Sequence, residues 1–234
     1  YLNIHSFPSL SEVGGEPSNI EQYYSFDYGN VHVVSLDSQV TIRDSGNNQT
    51  MQQWLINDLS ANSSDWTIVI FHHPPYTKGS HDSDSTSLGI DQPIFDIREQ
   101  YTPIFEDYGV DVVYSGHSHS YERSFYLNGH TGLEASFDAS VHAENGGTDN
   151  ALSGQSTEVY RQVSDDSGAD DKVVYTVAGS SGQATSTSDG YPHDAMAYSE
   201  IILGSVVIDA TTASLTARFL DINGDVLDHF VIER

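Results

Sequence analysis

The chain has 234 residues, 37% of them hydrophobic, which is enough for one sizeable core or for one domain with a small appendage. Its 34 acidic and 8 basic residues give a net charge of −26, which makes nucleic acids and anionic membranes unfavourable partners. No run of about 20 apolar residues occurs, so we expect no membrane span, and without cysteine there are neither disulfides nor thiolate metal sites.

The first half of the chain alternates predicted strands and helices. Residues 1–30 are rich in Ser, Gly, Pro and Asn and are typical of irregular connecting structure. Continuous apolar runs then predict buried strands at residues 31–36, 66–71 and 110–114. A helix is predicted between the first two strands, and a second one over residues 93–108, with a possible break at Pro103. This alternation predicts parallel strands joined by right-handed crossovers.

The first predicted helix has a clear apolar stripe. Its core-facing residues recur at helical spacing: Met51, Trp54, Leu55 and Leu59. We expect Asn57 and Asp58 on the other face of the helix.

The chain changes character after Arg123. Residues 128–171 are polar and rich in Gly, Ser and Asp, and look like a long excursion. Short strands separated by turns follow at residues 173–178, 205–209, 214–220 and 226–232. Asn223-Gly224 predicts a hairpin turn between the last two strands. The surrounding residues 221–225 superficially resemble a calcium loop, but they lack its full ligand spacing, so we favour the hairpin.

Five of the 11 histidines lie in two short stretches, each of which follows a predicted strand. The first stretch is His72-His73-Pro74-Pro75-Tyr76, with His81 a few residues later, and the second is Gly116-His117-Ser118-His119. Ligands of open α/β sheets bind at the carboxyl ends of the strands, and neutral imidazole is a good ligand for first-row metals. Either stretch alone could be a capped strand end, but together they indicate a metal site.

These motifs are specific enough to resemble a known family. Gly116-His117-Ser118-His119, followed by Tyr121-Glu122-Arg123, resembles the last metal-binding motif of purple acid phosphatases, which belong to the calcineurin-like metallophosphoesterases. The strand that leads into His72 resembles the preceding histidine motif of that family. Residues 23–30 and 36–38 resemble its middle section, and residues 178–182 and 204–205 resemble its tail. The resemblance covers most of the chain except the polar excursion.

The resemblance assigns roles to individual residues. It implies that His72 and His117 bind one metal and that His119 binds the other, in a centre of two divalent or trivalent ions, with Fe accompanied by Zn, Mn or Fe. His73 stands where relatives vary and would have an outer-shell role. His81 falls where relatives carry a histidine that contacts the substrate phosphate or protonates the leaving group.

The resemblance also implies a fold and a domain organisation. We expect a layered α/β/β/α metallophosphoesterase sandwich that is incomplete at its N-terminus and has a β-rich C-terminal part. Residues 1–234 would form the C-terminal portion of the catalytic domain. Within it, residues 1–125 would be a parallel α/β part with the histidine motifs, residues 126–171 the polar excursion, and residues 172–234 the β-rich part.

Part of the family pattern does not occur in this sequence. Purple acid phosphatases also carry Asp-x-His, Gly-Asp-x-x-Tyr and Gly-Asn-His motifs, which supply further ligands. We therefore expect this chain alone to be inactive and to work beside an N-terminal segment or a cleaved partner chain. The expected substrate is a phosphate monoester. The alternative hypothesis is a non-catalytic binding or structural module that retained the fold.

The acidity of the chain has several possible origins: a solvated surface, adaptation to salty surroundings, calcium binding or an interaction tail. The acidic residues are spread along the chain, which argues against a tail. We favour a protein that is secreted, extracellular or periplasmic, from a saline habitat. The chain begins at Tyr1 without a leader, so either a leader was removed or the chain starts partway through a longer protein.

Overall fold

The computed structural model describes residues 4–85, 89, 91–144, 159–162 and 172–234. About half of the predicted polar excursion, at residues 145–158 and 163–171, lies outside the described residues. The described elements in chain order are β1 Tyr24–Tyr28, β2 Val31–Ser35, α1 Ser45–Ala61, β3 Trp66–Ile70, α2 Gln92–Gln100, α3 Thr102–Asp107, β4 Val112–Ser115, β5 Tyr121–Leu127, a 3₁₀ turn Glu134–Ser136, α4 Ala139–His142, β6 Ala143–Glu144, β7 Tyr160–Arg161, β8 Val173–Ala178, β9 Met196–Glu200, β10 Gly204–Ala210, β11 Ser214–Asp221 and β12 Val226–Glu233. No described helix combines the length and apolarity that crossing a bilayer requires.

Eight of these strands form the first sheet of the described chain, in the order β1-β2-β3-β4-β8-β5-β6, with β9 also paired to β5. Strands β2, β3, β4 and β8 are parallel neighbours, and β1 and β5 pair with them in antiparallel fashion. Ile68 of β3 lies opposite Val112 of β4. The predicted parallel pairing of these two strands is therefore confirmed.

The second sheet has the order β10-β11-β12-β7. Its long strands β10, β11 and β12 are antiparallel neighbours. The turn between β11 and β12 contains Asn223 and Gly224, and Gly224 has a φ of +87°, a conformation that glycine adopts without strain. The Asp221 carboxylate accepts hydrogen bonds from the backbone N–H groups of Asn223 and Asp225. The predicted hairpin is confirmed, and this carboxylate serves the turn.

The two faces of the first sheet are covered differently. Val69 of β3 packs in one apolar cluster with Leu55 of α1, whereas its neighbour Ile68 belongs to a second cluster with Phe230 of β12. Helices thus cover one face and the second sheet covers the other, because successive strand residues point to opposite faces. Burying each such side chain stabilises the fold by about 1.5–3 kcal/mol. The layered α/β architecture predicted from the sequence is confirmed.

The second predicted helix is divided in two. Helix α2 ends at Gln100 and α3 begins at Thr102, with Tyr101 between them. Pro103 occupies the first turn of α3, where its missing N–H costs nothing. The break predicted near Pro103 is confirmed, two residues before the proline.

Helix α1 corrects one expectation. Its apolar residues are buried as predicted, but Asp58 is also buried and does not face solvent. Its carboxylate lies 2.9 Å from Nε2 of His32 and accepts hydrogen bonds from Ser25 Oγ and the Glu16 N–H, each at 2.7 Å. Asp58 lies seven residues after Met51 and four after Trp54, so the helical period places it in the buried stripe, and a carboxylate satisfied by several donors tolerates that position.

A buried ion pair joins the two sheets. Arg123 of β5 donates from Nε to Oδ2 of Asp228 at 2.7 Å and from Nη2 to Oδ1 at 3.0 Å, and both side chains are fully buried. Tyr121 donates its hydroxyl to the same carboxylate at 2.9 Å. The strand that follows the second histidine stretch is thereby fixed to β12.

The domain division predicted from the sequence stays a prediction. The structure does put β8 and β9, which follow the excursion, into the first sheet. Strand β8 lies between β4 and β5, so residues on both sides of the excursion share one sheet.

Candidate metal centre

The histidine stretches follow adjacent strands of the first sheet. His72 and His73 come directly after β3, and His117 and His119 come directly after β4. Because β3 and β4 are parallel neighbours, both stretches emerge at the same edge of the sheet. The loop after β2, which contains Ser38, reaches the same edge and touches the first stretch. Loops after three neighbouring strands therefore build the site.

His72 and His117 are in direct contact. Nε2 of His72 lies 3.1 Å from Nδ1 of His117, and the Gly116 N–H donates to the His72 carbonyl at 3.0 Å. Two imidazole nitrogens that bind one zinc ion at about 2.0–2.1 Å, with angles of roughly 90–110°, lie about 2.8–3.4 Å apart. The observed spacing fits a shared metal. His117 adopts a φ of +61°, an unusual backbone conformation for a residue with a side chain.

His73 lies beside this pair, and its ligand atom is within 4.8 Å of those of His72 and His117. Its hydrogen bonds nevertheless argue against metal binding. Ser38 Oγ accepts the backbone N–H groups of His72 and His73, both at 3.1 Å, which uses its two lone pairs. Its hydroxyl proton must then be donated to Nδ1 of His73, 2.9 Å away. The neutral ring carries its own proton on Nε2, so neither nitrogen has a free lone pair.

The imidazoles of this cluster are held in their neutral forms. Burial, together with the neighbouring His117 and His72, lowers the pKa of His73 to about 3. Burial also lowers the pKa of His72, with the charges of His81 and His119 acting in the same direction. The pKa of His117 is lowered mainly by burial, against the hydrogen bond to Asp91. Neutral imidazole is the form that binds metals.

His81 lies at the same site. Its ring stacks on that of His117 with 3.8 Å between ring centroids. Its Nδ1 lies 2.8 Å from Oδ1 of Asp91, and the same oxygen lies 3.2 Å from Nε2 of His117. His81, Asp91 and His117 thus form a second three-residue group of metal-binding type.

His119 lies beside the cluster of His72, His81 and His117. Its backbone N–H donates to Ser80 Oγ at 2.9 Å, and its carbonyl accepts from the Thr185 N–H at 3.2 Å. It is close enough to His72 to lower the pKa of that residue, but it belongs to neither three-residue group. The structure therefore brings His72, His81 and His117 together and leaves His119 beside them.

Residues 121–123 and Gly179 pack against the two histidine loops and support them. The buried Glu122 carboxylate accepts from Thr77 Oγ1 and Ser120 Oγ, both at 2.6 Å, and so ties the two loops together. Burial raises the pKa of Glu122. Gly179, directly after β8, passes so close to the second loop that a Cβ there would lie 2.0 Å from the Ser118 carbonyl oxygen.

His193, which follows Tyr191 and Pro192, lies outside this cluster. It is fully buried against Tyr76, and its Nδ1 accepts the Ala195 N–H at 3.0 Å. Burial lowers its pKa to about 3. It belongs to neither group of candidate ligands in the described chain.

Sequence reasoning did not assign site roles to Ser38 and Asp91. Ser38 lies in residues 36–38, which resemble the middle section of the purple acid phosphatases, so this resemblance could have indicated a site role for Ser38. Asp91 precedes Pro93 at the start of a helix, a position at which an aspartate ordinarily suggests only a helix cap.

Comparisons with known proteins agree with this geometry. The family model "Calcineurin-like phosphoesterase" matches residues 2–121, which include both histidine stretches. The chain belongs to the calcineurin-like phosphoesterase family. Within this metallophosphoesterase family, it is similar to purple acid phosphatases: it is 32% identical over 123 residues to Purple acid phosphatase 18 of Arabidopsis thaliana, covering 50% of this chain and 24% of that protein.

The chain is also similar to a bacterial protein and to a plant protein of known structure. An uncharacterized protein of Mycobacterium tuberculosis is 30% identical over 146 residues, covering 57% of this metallophosphoesterase and 26% of the relative. The purple acid phosphatase of yellow lupin, Lupinus luteus, superimposes with a TM-score of 0.64 at 17% identity, over 93% of this chain and 34% of that one, and so supports the fold. The matched segment spans about a quarter of each of these two curated relatives.

Proposed function

We propose that this metallophosphoesterase chain supplies the later metal ligands of a two-metal centre that hydrolyses phosphate monoesters. The observation that carries the proposal is the 3.1 Å separation of His72 Nε2 and His117 Nδ1 at the ends of adjacent parallel strands. In the proposal these two residues hold one metal and His119 holds the other. The resemblance to purple acid phosphatases supports Fe paired with Zn, Mn or Fe, and the imidazole donors suit these metals.

Bound metals at such a centre would neutralise the phosphate oxygens and lower the pKa of a water molecule. The chain's own residues would orient and assist. His81, stacked on His117, would contact the phosphate ester and give a proton to the oxygen that leaves as the alcohol. The P–O bond to that oxygen breaks, and the water oxygen forms the new bond to phosphorus. Glu122 and Ser38 would hold the two histidine loops in position through their hydrogen bonds.

The remaining ligands would come from residues outside these 234, either in a preceding segment of the same protein or in a cleaved partner chain. The lengths of the curated relatives support this part of the proposal, since the matched segment is about a quarter of each. A secreted or periplasmic location is consistent with the acidic composition, which also disfavours nucleic acid as substrate.

The test uses the full-length protein, purified with its native metals. We expect stoichiometric metal and release of inorganic phosphate from p-nitrophenyl phosphate. His72→Ala and His117→Ala should each lower metal content and activity, whereas His229→Ala, on β12 of the second sheet, should change neither. A wild-type protein that binds metal without hydrolysing phosphate esters would favour the non-catalytic module. Normal metal content in His72→Ala and His117→Ala would contradict the ligand assignment.

A further inference from the structure

Asp91 has a side chain that the helix does not use. It occupies the N-cap position of α2, where an aspartate ordinarily accepts a backbone N–H of the first helical turn. No such side-chain hydrogen bond forms here. The carboxylate instead lies with Oδ1 at 2.8 Å from Nδ1 of His81 and at 3.2 Å from Nε2 of His117.

Counting protons fixes the state of both rings. An ionised carboxylate only accepts hydrogen bonds, and one of its oxygens has two lone pairs. Both ring nitrogens that face Oδ1 of Asp91 must therefore be protonated. His117 then keeps its free lone pair on Nδ1, the nitrogen that lies 3.1 Å from His72 Nε2. In His81 the carboxylate holds the proton on Nδ1, and Nε2 is left to carry the further proton that the ring would give to the leaving oxygen.

We propose that Asp91 is a positioning residue that sets the tautomers of the metal ligand His117 and of the substrate-contacting His81 through one carboxylate oxygen. This inference rests on the proposed function. Metal-binding histidines generally donate their second N–H to a carboxylate or carbonyl, which fixes the ring and raises its basicity. Asp91 fulfils this role for His117 and binds His81 at the same time, so the metal ligand and the proton donor share one anchor.

The shared anchor also explains the stacking of the two rings. Their centroids are 3.8 Å apart with an interplanar angle of 29°. Asp91 is only 19% exposed, so its carboxylate is partly shielded from competing water. In a rival role, Asp91 would bind metal directly together with His81 and His117. Metal affinity would then respond differently to substitution of these residues, and the experiment below distinguishes the two roles.

The experiment compares Asp91→Ala with Asp96→Ala in the full-length protein. Asp96 lies on the same helix, and its Oδ1 accepts from Gln92 Nε2 at 3.0 Å instead of contacting a histidine. The first readout is the ¹⁵N chemical shifts of the histidine rings in metal-free protein. We expect protonated Nε2 in His117 and protonated Nδ1 in His81 in the wild type and in Asp96→Ala, and mixed tautomers of both in Asp91→Ala. The unchanged signal of buried His193 verifies folding.

The second readout is metal affinity, measured by competition with a chelator. Loss of a carboxylate that supports a metal-binding histidine costs about 10–100-fold in affinity, so Asp91→Ala should weaken binding by that factor. His81→Ala should leave affinity near the wild-type value. Equal weakening by His81→Ala and Asp91→Ala would instead indicate a metal bound directly by that group and would overturn the positioning role.

The third readout is leaving-group dependence. Asp91→Ala should lower kcat for an alkyl phosphate more than for p-nitrophenyl phosphate, whose leaving group needs less protonation. In a His81→Ala background this difference between substrates should disappear. Unchanged ring tautomers in Asp91→Ala would overturn the inference. That outcome is distinct from failure of the proposed function, because the ¹⁵N shifts and the metal affinity do not depend on hydrolysis.

Discussion

Gly179 offers a sharp test of how the tail of the chain supports the metal centre. A Cβ at this position would lie 2.0 Å from the Ser118 carbonyl oxygen and 3.3 Å from the Gly116 carbonyl carbon. Close carbon–oxygen contacts in proteins are about 3.3 Å, so alanine would require a displacement of roughly 1.3 Å. The opposing atoms are backbone, and no side-chain rotation relieves the overlap. The displaced segment carries His117 and His119.

Such a displacement exceeds what a metal site tolerates. Functional groups must be held within about 0.5 Å of their productive positions, and a misplacement of about 1 Å can cost 10²-fold in rate. We therefore expect Gly179→Ala to lower kcat/KM for p-nitrophenyl phosphate by about 100-fold, or roughly 2.7 kcal/mol of transition-state stabilisation. Metal affinity, measured by chelator competition, should fall as well.

Gly182→Ala provides the matched control. Gly182 lies in the same Gly-rich segment, but a Cβ there meets no atom within 4 Å. We expect its activity and metal affinity to equal those of the wild type, with both variants showing native circular dichroism. If Gly179→Ala behaved like Gly182→Ala, the close approach of β8 to the histidine loop would not support the site, and the reasoning would be refuted.

Three further substitutions test the remaining supports. Asp228→Asn removes the negative charge that pairs with the buried Arg123 and should lower the free energy of unfolding by about 3–5 kcal/mol in urea titrations; a change below about 1 kcal/mol would contradict this. Burial opposes protonation of His32, but its two carboxylate partners outweigh burial and raise its pKa. Protonated His32 therefore stabilises the fold fully below its ordinary pKa of 6.5, and this stabilisation is lost as the pH rises through the raised pKa. His32→Gln should flatten the decline in unfolding free energy between pH 6.5 and the raised pKa. Ser38→Ala removes the acceptor for two backbone N–H groups and should cost about 1–3 kcal/mol of stability and weaken metal binding, whereas unchanged urea and metal titrations would argue against its role.

The sequence predicted the parts of the fold that depend on local patterns. The apolar runs that became β3 and β4 are buried on both faces, so composition alone indicated parallel strands covered by two layers. His72 and His117 lie at one edge of the sheet because they follow neighbouring parallel strands. Their convergence was predictable because it follows from topology.

Other parts of the structure depend on contacts between distant residues. The polar character of Asp58 suggested a surface position, although it lies seven residues after Met51 on the buried stripe of α1, and its partner His32 lies 26 positions away in the chain. No local pattern marks Asp91 as a site residue, because its histidine partners are 10 and 26 positions distant. A single sequence records neither pairing. Prediction from local patterns therefore fails for polar residues whose partners are distant in the sequence.

The charge distribution leads to a last prediction about substrate binding. Seven of the eight Lys and Arg residues pair with carboxylates, and Arg43 donates to the Gly89 carbonyl. The pKa values of His72, His73 and His117 are lowered, so their imidazoles add little positive charge at neutral pH. With a net charge of −26, this chain needs bound metal to attract a phosphate. We expect metal-free full-length protein to show no binding of inorganic phosphate by calorimetry, and metal addition to restore it. Undiminished phosphate binding after metal removal would mean that the chain's own cations form the anion site.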